Sequence, residues 1–235
     1  MDIGRGITYI FEDRDWLKKV AIGGLITLIP ILNLAAYGYY LTLLRQLMGG
    51  SELPLPEWDE IGQKLVDGLI LSLILLVWSL PALILMGFSI VPLMGAALTS
   101  QGDSQAAGFA ALGGMVIFMG LGGIYLFLLA IVMPAIILNY AREGTFGSGF
   151  KFGQIFGYLT ANLGGYFLLL AIMVGVSFAV AVVGSILSFI PLLGQVALIF
   201  LGFMATLIYA HYLAQYYRAN FAASQPPASA ESGAY

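Results

Sequence analysis

The sequence predicts an all-α fold: a helical transmembrane bundle with four spans, a proline-broken first hydrophobic segment and interfacial amphipathic helices. Three observations predict it. Of 235 residues, 60% are hydrophobic and 9% charged, against about a quarter charged in a soluble domain. A globule of this size with so few charges must turn much of its surface to lipid. Four uncharged runs, 20–44, 68–102, 104–141 and 152–217, each reach the roughly 20 apolar residues that cross a bilayer. None alternates apolar and polar residues as a barrel strand does, and a helix satisfies its backbone N–H groups within its own segment.

The elements follow in chain order. The N-terminus mixes Asp2, Glu12, Asp13 and Asp15 with its basic residues, and the run behind it is longer than the apolar region of a signal peptide. The chain is therefore read as mature from Met1. The first run, 20–44, carries Pro30 near its middle and Asn33 just after, with Gly23, Gly24 and Gly38 around them. A proline there kinks or ends a helix. If this run crosses as a fifth span, the nine Lys and Arg divide four against five, which sets no orientation. If it enters and returns as a re-entrant hairpin, all nine fall on one face, the arrangement the positive-inside rule favours. The expectation is the hairpin, with both termini and the charged loops cytoplasmic. The 99–108 loop, with Asp103 its only charge, would then face outward.

The last run is long enough for two helices and divides at Ile190-Pro191-Leu192-Leu193-Gly194, a turn sequence. Hydrophobic helices are thus expected near 20–44, 69–97, 110–138, 166–189 and 193–216. Trp58, Ile61, Leu65 and Leu69 recur at helical spacing opposite Asp59, Glu60, Gln63, Lys64 and Asp67, and Phe152, Ile155, Leu159 and Leu163 repeat that spacing. Both stretches are read as helices at the headgroup boundary. Ile29-Pro30-Ile31-Leu32 is echoed by Ile190-Pro191-Leu192-Leu193, a hint of internal duplication. Residues 1–218 are expected to form one transmembrane domain. The small, polar stretch 219–235 buries too little apolar surface to order itself and is expected to be a flexible tail.

Phe11-Glu-Asp-Arg-Asp-Trp16 precedes Lys18-Lys19, Gly23-Gly24 and Ile29-Pro30. Tyr37-Gly38-Tyr39, Leu53-Pro-Leu-Pro-Glu57-Trp58-Asp59 and Asp67-Gly68 follow. This order resembles a bacterial and archaeal membrane-protein family, domain of unknown function 4013, most clearly over residues 8–90. Pro-Glu-Trp-Asp is its most distinctive element; the Leu-Pro pair before Glu57 is a departure. The resemblance implies a multi-pass membrane protein and supplies no catalytic residues. With helical spans, it points to the prokaryotic inner membrane.

Residue chemistry narrows the function classes. The absence of cysteine excludes disulfides, thiolate metal sites and a cysteine nucleophile. A net charge of −3 without a basic patch argues against nucleic-acid binding. No ionisable residue lies near the centre of any hydrophobic segment, so a charge-coupled transporter is not expected. Arg45, Arg142 and Arg218 sit at helix ends, where they snorkel to the headgroups. His211 is the one histidine. It is either a ligand to haem iron or chlorophyll magnesium, or a polar member of an aromatic belt with Tyr209, Tyr212, Tyr216 and Tyr217. Glu57, Asp59 and Glu60 read first as a solvated helix face, then as a contact with a partner's basic loop and last as a divalent-cation site, with Lys64 at ion-pair spacing from Glu60. A lone histidine without an orienting group makes no nucleophile–base pair.

Ser177, Ala181 and Ser185 recur every four residues, and Gly113-Gly114 and Gly120 to Gly123 lie in an apolar helix. Such ridges let helices approach closely and are read first as internal packing, second as contact with another subunit. The functional expectation is a non-catalytic scaffold or accessory subunit of a membrane complex, without enzymatic activity or cofactor. Its partners are the lipid bilayer and a homo-oligomer or other membrane subunits, and its interface candidates are Trp16, Glu57, Trp58, Asp59, Ser177, Ala181 and Ser185. The alternatives are a channel or transporter for a neutral or lipid-like solute, motivated by helix breaks at Pro30, Pro81, Pro92 and Pro191, and a pigment- or haem-binding subunit through His211.

Overall fold

A computed structural model describes residues 1–99 and 104–222. They form helices α1 (Ile3–Thr8), α2 (Trp16–Thr27), α3 (Asn33–Met48), α4 (Ile61–Phe88), α5 (Val91–Thr99), α6 (Ser104–Glu143), α7 (Phe152–Thr160), α8 (Leu163–Leu187) and α9 (Leu193–Phe221). Short 3-10 turns at Tyr9–Glu12 and Phe146–Phe150 join them, and no strand occurs among the described residues. Four stretches are long and apolar enough to cross a membrane: Ile61–Ala97, Ala107–Glu143, Leu163–Leu187 and Leu193–Phe221. The helical bundle and its four spans are as the sequence predicts. The 40-residue α6 is about 60 Å long at 1.5 Å per residue, roughly twice the thickness of a hydrocarbon core.

The chain divides into two compact units. Unit 1 comprises Met1–Ser72 and Ala135–Tyr235, and its helices gather on α9. The first hydrophobic segment lies here as two helices, α2 and α3, joined by a turn over residues 28–32 that contains Pro30. Its two ends meet. Asp13, just before α2, accepts a hydrogen bond from the backbone N–H of Leu55, beyond α3, at 2.7 Å. Trp58 Nε1 donates to the carbonyl of Lys19 at 2.8 Å. The segment therefore turns back on itself as a hairpin. Added methyl groups at Gly23 and Gly24 would strike the rings of Phe203 and Phe200, so α2 lies directly against α9.

Close approach also fixes α3 on α4. A Cβ on Gly38 would fall 1.9 Å from the Lys64 carbonyl oxygen, and one on Gly68 would fall 1.8 Å from that of Leu34. Only glycine fits at either position. The first turns of α4 reverse the usual burial pattern: Lys64 and Asp67 are buried, whereas Ile61, Val66 and Leu69 are exposed. An apolar exterior over a polar interior suits a helix whose outer solvent is lipid. The predicted separate amphipathic helix at 58–69 is thus corrected. Trp58 stands outside it, and the rest continues without a break into the span. The second such stretch does form its own helix, α7, burying Ile155 and Tyr158 and exposing Phe152 and Phe156.

Unit 2 is Leu73–Pro134, drawn from α4, α5 and α6. Here α6 meets the other helices over glycine. Gly122 faces Met86 and Gly114 faces Pro92, too closely for a side chain at either glycine. Phe88 and Phe118 lie 6.1 Å apart. Tyr125 donates to the Trp78 carbonyl at 2.9 Å, three residues before Pro81. Pro81 does not interrupt α4, contrary to expectation; the carbonyl its missing N–H leaves free is that of Val77, one residue before the carbonyl that Tyr125 bonds. The break falls instead at residues 89–90, and Pro92 sits in the first turn of α5. Pro30 and Pro191 lie in turns, as expected.

Two expectations fall wholly or partly outside the described residues: the outward placement of Asp103 and the flexible tail. Of the proposed tail, residues 219–221 continue α9, where Phe221 packs on Tyr158 at 4.9 Å and stacks on Tyr217 at 5.8 Å.

Candidate functional site

The polar side chains of unit 1 form two closed knots. The first ties the ends of the α2–α3 hairpin together. Asp13 accepts from the N–H groups of Asp15 and Leu55, both at 2.7 Å, and from Lys19 Nζ at 3.1 Å. Lys19 also donates to the Leu55 carbonyl at 2.7 Å and pairs with Glu57 at 2.7 Å. Lys19 is 3% exposed and Asp13 5%. Burial works against charge at Asp13, but the Leu55 and Asp15 N–H groups and Lys19 outweigh it, holding the carboxyl below its ordinary value. For Lys19 burial likewise opposes charge, and Glu57 and Asp13 more than compensate, raising its pKa. Trp58 closes this knot, stacked on Tyr39 with ring centres 4.4 Å apart and tilted against Phe203 at 5.9 Å.

The second knot joins the N-terminus, the loop after α3 and the end of α9. Glu52 receives Arg5 Nε at 2.7 Å, His211 Nε2 at 3.3 Å and Arg218 Nη2 at 3.4 Å. Burial disfavours the Glu52 carboxylate, yet the Arg5 hydrogen bond and His211 outweigh it and keep its pKa low. Gln215 accepts from the Asp2 N–H at 2.7 Å and donates to the Asp2 carbonyl at 3.0 Å. Its remaining amide hydrogen reaches His211 Nδ1 at 2.9 Å. His211 thus accepts at Nδ1 and donates from Nε2 to Glu52, which the neutral imidazole with its proton on Nε2 satisfies. Tyr9 stacks on the ring at 4.5 Å and donates to the Leu207 carbonyl at 2.9 Å.

These contacts relocate the predicted residues. His211 is fully buried with both ring nitrogens engaged, so neither faces open space for a metal, and the pigment-ligand reading loses its atom. Of the tyrosines named with it, Tyr212 lies edge-on to its ring at 6.3 Å. Glu57 and Trp58 belong to the first knot, and Asp59 pairs at 3.1 Å with Lys64, the partner the spacing had assigned to Glu60. Glu60 has a φ of 46°, which takes the chain into α4 from outside helical geometry. Trp16 is half-buried, edge-on to Phe11 at 4.9 Å.

Ser177, Ala181 and Ser185 are all exposed on α8. Ser177 touches α9 through Tyr209 at 2.6 Å, but the small residue that α8 buries against α9 is Gly184, facing Leu198. The ridge is therefore corrected from internal packing to an outward face. Among the described residues no group of three His, Asp or Glu side chains could hold a metal.

Sequence reasoning passed over Asp13, Glu52, Arg5 and Gln215. Asp13 lies inside the Phe11-to-Trp16 element, and its neighbour in that motif was the available signal. The others carry no local pattern, because their partners stand far away in the chain.

A multi-pass helical membrane protein with two internal polar knots is the class that fold and site define. The family model for proteins of unknown function designated DUF4013 matches residues 22–189, and the chain belongs to that family. The matched region contains the Leu-Pro-Leu-Pro-Glu-Trp-Asp element and excludes Asp13, Lys19 and His211. Compared with curated proteins and with solved structures, the chain matches none.

Proposed function

We propose that this protein is a non-catalytic scaffold or accessory subunit of a prokaryotic inner-membrane complex. One observation carries the reading: the ionisable groups that chemistry would need are held in internal bonds. Asp13, Lys19, Glu52 and His211 each bond to groups of their own chain, so they lock helix ends together. The exposed small-residue ridge on α8, with Ser177, Ala181 and Ser185, supports a helix-to-helix contact with a second copy or another subunit. Cytoplasmic placement of the termini is supported by the returning hairpin, which leaves all nine Lys and Arg in unit 1.

The test is purification from native membranes in mild detergent with mass spectrometry of the eluted peak. A stoichiometric partner or a homo-oligomer is the expected result; a lone monomer in every mild detergent overturns the proposal. A second reading is passage of a neutral or lipid-like solute. It draws on the α2–α3 hairpin, an element that transporters and channels use where non-helical backbone lines a cavity.

A further inference from the structure

Unit 1 contains a cleft of about 380 Å³, lined by Arg45, Met48, Gly49, Arg142, Glu143 and Tyr217, with Ala141 and Gly144 completing its wall. This volume lies at the small end of ligand sites and is enough for a headgroup, though not for a whole lipid. It opens where α3 and α6 end and where the polar, tyrosine-rich end of α9 begins. For helices read as membrane spans, that is the level of the lipid phosphates.

The charges of the cleft are unevenly satisfied. Arg45 bonds to Asp67 and donates to the Ala141 carbonyl at 3.0 Å, and its guanidinium lies 5.9 Å over the Tyr140 ring. Asp67 in turn accepts from Gln63 at 3.2 Å. Arg45 is therefore held in place. Glu143 is paired with Lys151 at 2.7 Å. Arg142 is exposed and forms no ion pair among the described residues. Arg14 and Lys18 share that property, but neither lines the cleft. Arg142 interacts with the Tyr158 hydroxyl and lies in the field of Glu143, but among the described residues no carboxylate pairs with it directly; such a guanidinium beside an immobilised one is a setting for a single phosphodiester anion, whose geometry matches the guanidinium fork.

The opposite wall has the other polarity. Met48 and Gly49 end α3, and Ala141 to Gly144 end α6, where helix carbonyls run out of intrahelical donors. Glu143 adds an acceptor. A ligand that places a phosphate on Arg142 thus meets hydrogen-bond acceptors with its other end. We infer that the cleft binds a phospholipid headgroup whose phosphate sits on Arg142 beside Arg45, and whose terminal hydroxyl or ammonium donates to the carbonyl ends of α3 and α6. Choline, which has no N–H or O–H, fits the second half poorly. The inference is independent of the scaffold reading.

The experiment is native mass spectrometry of the full-length protein in detergent. The protein is titrated separately with phosphatidylethanolamine, phosphatidylglycerol and phosphatidylcholine of matched acyl chains. Ethanolamine and glycerol lipids should be retained over choline lipid. Arg142→Gln should weaken their retention about tenfold, the loss expected for one charge-assisted hydrogen-bonded pair. Arg142→Lys should keep part of it, and Arg14→Gln should change nothing. Arg142→Gln keeps a donor for the Tyr158 hydroxyl, and an unchanged unfolding temperature is the expected check that the fold is intact. Equal retention of the three lipids overturns the inference, as does wild-type retention by Arg142→Gln. Arg142-dependent binding of glycerol 3-phosphate without lipid retention also overturns it, moving the site to a soluble phosphate.

Discussion

Helices of both units approach over glycine, but unit 1 adds buried ion pairs, whereas the described residues of unit 2 have none. Every lysine and arginine of the chain lies in unit 1, and no described residue of unit 2 is charged. Unit 1 buries Tyr9, Tyr39, Tyr140, Tyr212 and Tyr216 completely. Unit 2 leaves Phe109, Val116, Phe127 and Leu83 exposed and approaches closely at Gly114 and Gly122. The difference teaches what each solvent demands. Between helices in lipid no hydrophobic force acts, because the tails are as apolar as leucine, so contact depends on close packing. Near the headgroups, loops and helix ends carry polar backbone that must find partners, and side chains such as Asp13 and Gln215 supply them.

Substitution tests this contrast. The largest effect is expected for Asp13→Ala, which leaves the N–H groups of Leu55 and Asp15 without their acceptor and takes from buried Lys19 one of its two carboxylates. Leaving a buried donor without its acceptor costs about 1–3 kcal/mol, read as a lower unfolding temperature in detergent. A loss below that of any unit 2 substitution would break the contrast. Next come two glycines. Gly68→Ala drives a methyl group into the Leu34 carbonyl and should destabilise by about 1–3 kcal/mol. Gly120→Ala meets nothing within 4 Å and should be neutral, or stabilising by up to about 1 kcal/mol through helix propensity. Equal losses at both would show that the face of α6 around Gly120 is covered by another helix, which would sharpen the contrast into an interface.

The smallest effect near neutral pH is that of acid itself. Asp13 and Glu52 titrate below their ordinary values in the folded chain. The stability they contribute is therefore complete above the ordinary carboxylate range and fades as pH falls through their folded values. Hydrogen exchange should show the backbone of unit 1 around Leu55 losing protection in acid while unit 2 is unchanged. Parallel loss in both units would contradict the assignment of titrating groups to unit 1.

Much of the fold was legible in the sequence because lipid is a simple solvent. Charge-free length marks a span, and Pro30 and Pro191 mark turns. The site was less legible. Trp58 and Glu57 stood out within a distinctive motif, as Tyr39 and Lys19 did within theirs, yet the pairing of Trp58 with Tyr39 and of Glu57 with Lys19 did not, since tyrosine and lysine carry no signature of where they point. His211 stood out only by being the one histidine. What holds it, Glu52, lies 159 positions away. Pro81 was misread because a proline does not have to end a helix inside a span, and α4 runs through it.

The amino-acid sequence by itself determined that this chain lives in a membrane, that it is helical, and where its apolar segments begin and end. Those properties follow from local composition and length, which a bilayer of fixed thickness reads directly. Tertiary structure alone decided that the first segment returns on itself, because the return is held by Asp13 and Leu55 across the loop. It also decided which face of α4 points inward. In water the apolar face is buried, whereas in lipid the outer surface is apolar as well, so hydrophobic pattern no longer says which side is inside. There the polar partners of Lys64 and Asp67 settle the question, and those are found only once the helices have met.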